Sequence, residues 1–271
     1  MPFFSNAAEV YRLLDKSNCR KCGELTCLAF AGAVYLRKKR LKDCPKIPPA
    51  VIERYSAETP FGSAEEAEGG QRMKRLQAEL ARQDLRKLAE RVGAQYVEDR
   101  LTLKILGKDF GVDPQGRFIT DIHVNPWVVV PFLSYILHSQ GRSPTGRWVS
   151  FRDLPEGRWH YPLFQKRCEV TIKRVADGNP DFFHDLIHLF DAREVEPQYR
   201  SDISVTLLPL PRVPIMICYW LPEEGMGSNL NLFFDETAGE NLSTEAAFML
   251  GVGLAEMFRK ITLTHGVEPG I

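Results

Sequence analysis

Four cysteines crowd into the first 44 residues of the chain: Cys19, Cys22, Cys27 and Cys44, spaced C-x2-C-x4-C-x16-C. A Cys-x-x-Cys turn lets two thiolates serve one metal centre, and Gly23 gives the backbone the freedom to wrap it. Cys27 follows on the same loop. Two further cysteines, Cys168 and Cys218, stand alone in apolar surroundings. This asymmetric crowding reads as metal binding in place of a disulfide framework, and the isolated pair reads as small buried hydrophobes. Four thiolates suit a [4Fe–4S] cube. A structural zinc site shares the donor set, although it usually shows two paired knuckles and only one is present here. Unrelated buried thiols are the third reading.

Local patterning places this constellation on helices. Residues 7–15 have helical spacing at Ala7, Val10, Leu13 and Leu14. A second helix is expected from Glu24 to Leu41, stopped by Cys44-Pro45 and the prolines at 48 and 49. Cys27 then sits in its first turn, where unpaired N–H groups and the positive end of the dipole favour a cluster of net negative charge. Cys44 lies past its end and must fold back to complete the set. The stretch ERYSAETPFGSAEEAEGG at 53–70 is acidic, small and Gly/Pro-bearing, as linkers are. The expected organisation is a cluster-binding module at 1–52, a linker at 53–70 and a larger domain at 71–271.

In the larger part, residues 71–92 carry Leu76, Leu80, Leu85 and Leu88 among charges, an amphipathic helix. Tyr96 to Thr120 suggests short antiparallel strands joined by turns at GKD and DPQG. Helices are expected at 126–138, 165–175, 180–190 and 243–261, the last capped by Ser243, with an irregular turn-rich segment running through Pro162. SDISVTLLPLPRVPIMICYWLP is strand-like but interrupted by Pro209, Pro211 and Pro214, so a strand there should lie at an edge or carry a bulge. A further strand is expected at 229–235. Strands and helices alternate without βαβ spacing, and the fold class is therefore α+β: a small helical four-cysteine module followed by a mixed domain with antiparallel strands.

Charge narrows the partners. Thirty-five basic and thirty-five acidic side chains cancel, which gives no global field for nucleic acid or an anionic membrane. No segment reaches about 18 uninterrupted apolar residues, and the N-terminus lacks a secretory pattern, so the expectation is a soluble cytoplasmic protein without membrane insertion.

The segment CRKCGELTCLAFAGAVYLRKKRLKDCP resembles the Fe–S module of the corrinoid iron–sulfur protein's large subunit and of the B subunit of the Rnf electron-transport complex. The resemblance covers about the first 50 residues. It implies a [4Fe–4S] cluster held by Cys19, Cys22, Cys27 and Cys44, and an anaerobic redox role. A corrinoid, and a ferredoxin-like or corrinoid protein as partner, enter only through it. Residues from about 75 to 262 are similar to an uncharacterised domain family often fused behind this module in anaerobic bacteria and archaea, through TGRWVSFRDLP, PLPRVPIMICYWLPEEG and NLFFDETAGENLSTE. That family supplies no chemistry. The leading expectation is a one-electron carrier. The alternatives are a C-terminal enzyme or small-molecule domain, corrinoid-binding included, with the cluster tuning or sensing, and a zinc-stabilised interaction module. Whether the chain is an enzyme, and its oligomeric state, stay open at this level.

Other residues carry weaker signals. Arg37, Lys38, Lys39, Arg40 and Lys42 either complement a helix C-terminus or steer an acidic redox partner. His184 and His188, in HDLIH, stand one helical turn apart and resemble a His-Glu-x-x-His helix with Asp185 replacing Glu. No third ligand follows, and Phe182, Phe183, Ile187 and Phe190 give the segment the character of a packed helix with a polar edge. Trp127, Trp148, Trp159 and Trp220, with Glu223-Glu224-Gly225, either line a flat cofactor pocket or build core. A P-loop, a dinucleotide fingerprint and a nucleophile elbow are absent, which disfavours nucleotide-driven and serine-hydrolase chemistry.

Overall fold

A computed structural model describes residues 4, 7–35, 39–49, 51–52, 64–122 and 124–265. The chain falls into two units, Met1–Gln71 and Arg72–Ile271, and the α+β class holds.

In the first unit, α1 (Ala7–Arg12) packs on α2 (Cys27–Tyr35), and a 3-10 turn, Leu41–Asp43, precedes Cys44. Val10, Leu14, Phe30, Ala31, Val34, Leu41 and Ile47 form a small core that also takes in Cys27 and Cys44. The second helix begins three residues later than its spacing predicts. Thr26 is the reason: its hydroxyl accepts the N–H of Ala29 at 3.0 Å, a capping bond that starts the helix at Cys27. Residues 36–38, which include Arg37 and Lys38, lie outside the described residues.

The helix α3 (Ala64–Leu80) runs across the division between the units. Residues 64–70, expected as linker, are its beginning, because Ala and Glu are strong helix formers. Residues 53–63 lie outside the described residues. The single helix expected over 71–92 is broken at 81–84. Asp84 there accepts the N–H groups of Arg86 and Lys87 and caps a new helix, α4 (Leu85–Val92), which ends at Gly93 with φ +71°.

Four strands follow as an antiparallel meander, β1 (Gln95–Val97), β2 (Arg100–Ile105), β3 (Lys108–Val112) and β4 (Phe118–Thr120). In β2 Leu101, Leu103 and Ile105 alternate inward against Phe110 and Val112 of β3. The helix α5 (Pro126–His138) is buried from Val129 to Leu137 and is capped by Asn125, which accepts from Trp127 at 3.0 Å. Pro131 inside it cannot donate to Trp127 O. Gly253 of the closing helix α10 (Thr244–His265) lies against that carbonyl, and a Cβ there would sit 3.2 Å from the oxygen. Ser243 caps α10, accepting from Ala246 at 3.2 Å.

The second sheet has the order β5-β9-β8-β7-β6, all antiparallel: β5 (Trp148–Ser150), β6 (Arg193–Glu194), β7 (Ile203–Leu210), β8 (Val213–Trp220) and β9 (Asn229–Asp235). The register slips between Leu207 and Leu210, so Pro209 falls in the irregularity. The short edge strand β6 pairs only with Val205 and Thr206, leaving that side of Pro209 free of any strand. The segment expected to be irregular through Pro162 holds β5 and a helix, α6 (Gly157–Phe164), which continues through a π-helical stretch, Gln165–Glu169, into α7 (Val170–Gly178); α8 (Phe182–Phe190) and the short α9 (Ala238–Asn241) complete the unit. Phe164 stacks on Phe151 at 4.1 Å, and α10 crosses them at Gly251, beside Phe164 and Cys168. Among the described residues no helix is long and apolar enough to cross a membrane.

Candidate metal centre

Residues 13–26 form an irregular loop whose backbone turns repeatedly through the left-handed region: Lys16 (φ +60°), Asn18 (+49°), Arg20 (+60°) and Gly23 (+80°). Alternation of this kind points successive N–H groups inward. The result is visible at the sulfurs. Asn18 N donates to Cys27 Sγ at 3.4 Å, and its side chain accepts the Cys27 N–H at 2.7 Å, so one asparagine holds the third cysteine from both sides. The backbone N–H of Lys21 beside Cys19 lowers its pKa, burial opposing. Burial pushes the Cys44 thiol up; the N–H of Lys46 works against this, and the charges of Cys22, Cys19 and Cys27 push it further up.

All four sulfurs therefore share one electrostatic neighbourhood, Cys27 and Cys44 buried, Cys19 and Cys22 half-buried, and none is in a disulfide. They do not converge on a single point: among the described residues no group of three or more His, Cys, Asp or Glu is arranged to hold a metal ion. A cube presents a separate iron to each thiolate, so its ligands surround a volume. Four free thiols, one of them accepting a backbone N–H and two more with a backbone N–H favouring their charged form, fit such a group in donor chemistry.

Two lysines flank the loop. Lys39 donates to Cys22 O and pairs with Glu24 at 3.4 Å, lying over the Cys22–Gly23 turn. Lys46 pairs with Asp15 at 2.7 Å and donates to Ser17 Oγ at 2.9 Å. In the basic run expected to steer a partner, Lys39 is thus spoken for and Arg40 pairs with Asp43, while Lys42 is exposed. Leu25 and Leu28, 72% and 59% exposed, stand on the rim of the cysteine loop. The left-handed residues and the Asn18 bridge were missing from the sequence reading; an asparagine directly before a metal-spaced cysteine was the one available hint, since Asn tolerates that conformation.

The remaining candidates lie in the larger unit. Cys168 and Cys218 are fully buried, and burial raises both thiols. The tryptophans sit apart on α5, β5, α6 and β8, and Trp159 is 84% exposed. Glu223 and Glu224 are exposed in a tight turn. A cleft of about 310 Å³ beside Thr102, Lys104, Asp109 and Phe190 contains none of them. His184 and His188 are both exposed on α8, as the polar edge of a packed helix, with their Nε2 atoms 2.9 Å apart.

Comparison with known proteins divides the chain the same way. Residues 14–46, which hold all four clustered cysteines, match the family model described as “Putative Fe-S cluster”, and this supports an iron–sulfur cofactor. The same part of the chain is similar to subunit gamma of the acetyl-CoA decarbonylase/synthase complex. It is 49% identical over 41 residues to the protein of Methanothermobacter thermautotrophicus, covering 15% of this chain and 9% of that one. It is 41% identical over 49 residues to that of Methanopyrus kandleri, covering 18% and 11%. The chain thus spans only about a tenth of the curated relatives it matches. No solved structure matches. Residues 84–257, more than half of the chain, match the model described as “Domain of unknown function (DUF3786)”, and the chain belongs to that family, with the segment that matches the iron–sulfur model preceding the family domain.

Proposed function

We propose that Cys19, Cys22, Cys27 and Cys44 bind one [4Fe–4S] cluster and that the protein passes single electrons to or from a protein partner, a redox enzyme or corrinoid protein of anaerobic metabolism, in the cytoplasm. The observation that carries this reading is the backbone at the sulfurs: Asn18 donates its N–H to Cys27 Sγ, and the N–H groups of Lys21 and Lys46 favour the charged forms of Cys19 and Cys44. Such bonds stabilise thiolate over thiol and tune the potential of a sulfur-ligated centre. When bound, the cluster supplies reversible one-electron chemistry. The chain's own part is to hold four thiolates, to bury two of them in an apolar core and to place Lys46 close enough for its charge to act on Cys19 and Cys27. The exposed Leu25 and Leu28 give the loop rim a face suited to a protein partner. That the relatives are subunits of a complex supports a protein partner as well.

Anaerobic purification followed by iron, sulfide and zinc analysis tests the cluster. About four irons and four sulfides per chain, reducible by dithionite to an EPR-active state, are expected, and Cys22→Ser should abolish both. Zinc in a colourless preparation, or a cluster that takes no electron, would overturn the proposal.

A further inference from the structure

We propose that His184 and His188 form a surface clip for a divalent transition metal that prefers tetragonal coordination, Ni²⁺ or Cu²⁺, with water in the remaining positions. Both imidazoles are exposed on one face of α8, at positions i and i+4, where helical side chains are neighbours. Their Nε2 atoms face each other at 2.9 Å, with ring centroids 4.2 Å apart. Two nitrogens each about 2.0–2.1 Å from one metal subtend roughly 90° when they are 2.9 Å apart. A tetrahedral ion would need them at roughly 3.3–3.4 Å with the same bond lengths. The right angle is that of square-planar and octahedral ions, which is why Ni²⁺ and Cu²⁺ fit this pair better than Zn²⁺.

The opposite face of α8 makes the clip rigid at its base. Phe182 and Leu186 are buried, and Phe182 and Phe190 both pack against Phe258 of α10, at 5.5 and 5.6 Å. The helix is thus formed before any metal arrives, so binding need not order it. Asp181, exposed and one turn ahead of His184, makes no side-chain capping bond and adds local negative charge. The competing explanation of the 2.9 Å separation is an N–H···N hydrogen bond between two neutral rings.

Ni²⁺ is the probe of choice, because Cu²⁺ would oxidise the clustered thiols. The full-length protein and its His184→Gln/His188→Gln variant, identical in their cysteines, are titrated with Ni²⁺ and with Zn²⁺ by calorimetry, with far-UV circular dichroism as the folding control. The wild type should take up one Ni²⁺ per chain more than the variant, and the single variant His188→Gln should bind it about tenfold or more weakly. Zn²⁺ should be weaker than Ni²⁺ at the same site. Equal Ni²⁺ uptake by wild type and double variant would mean a hydrogen-bonded pair only, and Zn²⁺ bound as tightly as Ni²⁺ would refute the tetragonal assignment. Neither result depends on the four-cysteine centre.

Discussion

Asp235 accepts four hydrogen bonds through its carboxylate, and replacing it with asparagine has a sign and size that follow from these contacts. The carboxylate is fully buried at the end of β9. One oxygen accepts the N–H groups of Thr145 at 3.0 Å and Gly146 at 2.7 Å, and the other accepts the Thr237 N–H at 3.0 Å and its hydroxyl at 2.7 Å. The residue thereby ties the loop before β5 to the turn after β9. Burial alone would raise its pKa, but the bonds from Thr237, Gly146 and Thr145 outweigh it and hold the carboxyl below the usual 3.8. Asp235→Asn keeps one oxygen acceptor and turns an NH2 toward donors on the other side: toward Thr145 and Gly146 two N–H groups lose their acceptor, and toward Thr237 one N–H does, since the hydroxyl can rotate and accept from the NH2. At about 1–2 kcal/mol for each N–H left without an acceptor, the expected destabilisation is about 1–4 kcal/mol at neutral pH. The pH dependence sharpens this. A carboxyl whose pKa is depressed by folding contributes stability that is present above its unfolded value and is lost as pH falls through the folded value. The wild type should therefore lose stability below about pH 4, and the difference between wild type and variant should shrink there. Urea unfolding at a series of pH values measures both. A variant as stable as wild type at pH 7, or a difference that grows on acidification, would refute the reasoning.

Glu169 should behave in the opposite sense. Burial raises its pKa, against the N–H of Leu232 and the side chains of Tyr161 and Asn231, so its ionisation costs stability as pH rises; Glu169→Gln should raise the urea midpoint at pH 8, with the gain shrinking toward pH 4. Gly251→Ala would place a Cβ 2.6 Å from the ring of buried Phe164 and should destabilise by about 1–3 kcal/mol despite better helix propensity. Gly178→Ala, with nothing within 4 Å, should be neutral or stabilising, and the two midpoints should move apart. Asn18→Ala removes the acceptor of the Cys27 N–H and the residue best suited to φ +49°, and iron analysis after anaerobic purification should show a less fully loaded protein.

What could be read from the chain alone depended on whether the signal was local. The helix over 126–138 announced itself because Asn125-Pro126 caps and starts it and the residues that follow are apolar on every side, which only a buried helix tolerates. The break at 81–84 was legible in retrospect: Leu76 and Leu80, then Leu85 and Leu88, keep helical spacing within each pair, but the step from 80 to 85 is five residues and falls out of register. The helix over 157–164 lies in a stretch expected to be irregular, and the chain passes through Pro162 and widens into the π-helical turn at 165–169. The polar edge at His184 and His188 was expected, but periodicity carries no information on ring orientation, so the 2.9 Å approach of the two nitrogens was not.

The candidate metal centre divides along the same line. Its donors are side chains, and a thiol is rare enough that four at metal spacing stand out in a sequence. The groups that favour those donors include backbone N–H groups, which every residue but proline carries, so no composition or spacing can single out Lys21 and Lys46, and Asn18 is marked only by its place before Cys19. Only the path of the backbone selects them, and in the cysteine loop that path runs through left-handed turns at Lys16 and Arg20, residues with no preference for the conformation, as well as at Asn18 and Gly23. Such turns persist where surrounding contacts over-determine them. Here Lys46 bridges Asp15 and Ser17, and Lys39 spans Cys22 and Glu24, so the loop that carries the cysteines is fastened at both ends by lysines drawn from beyond α2.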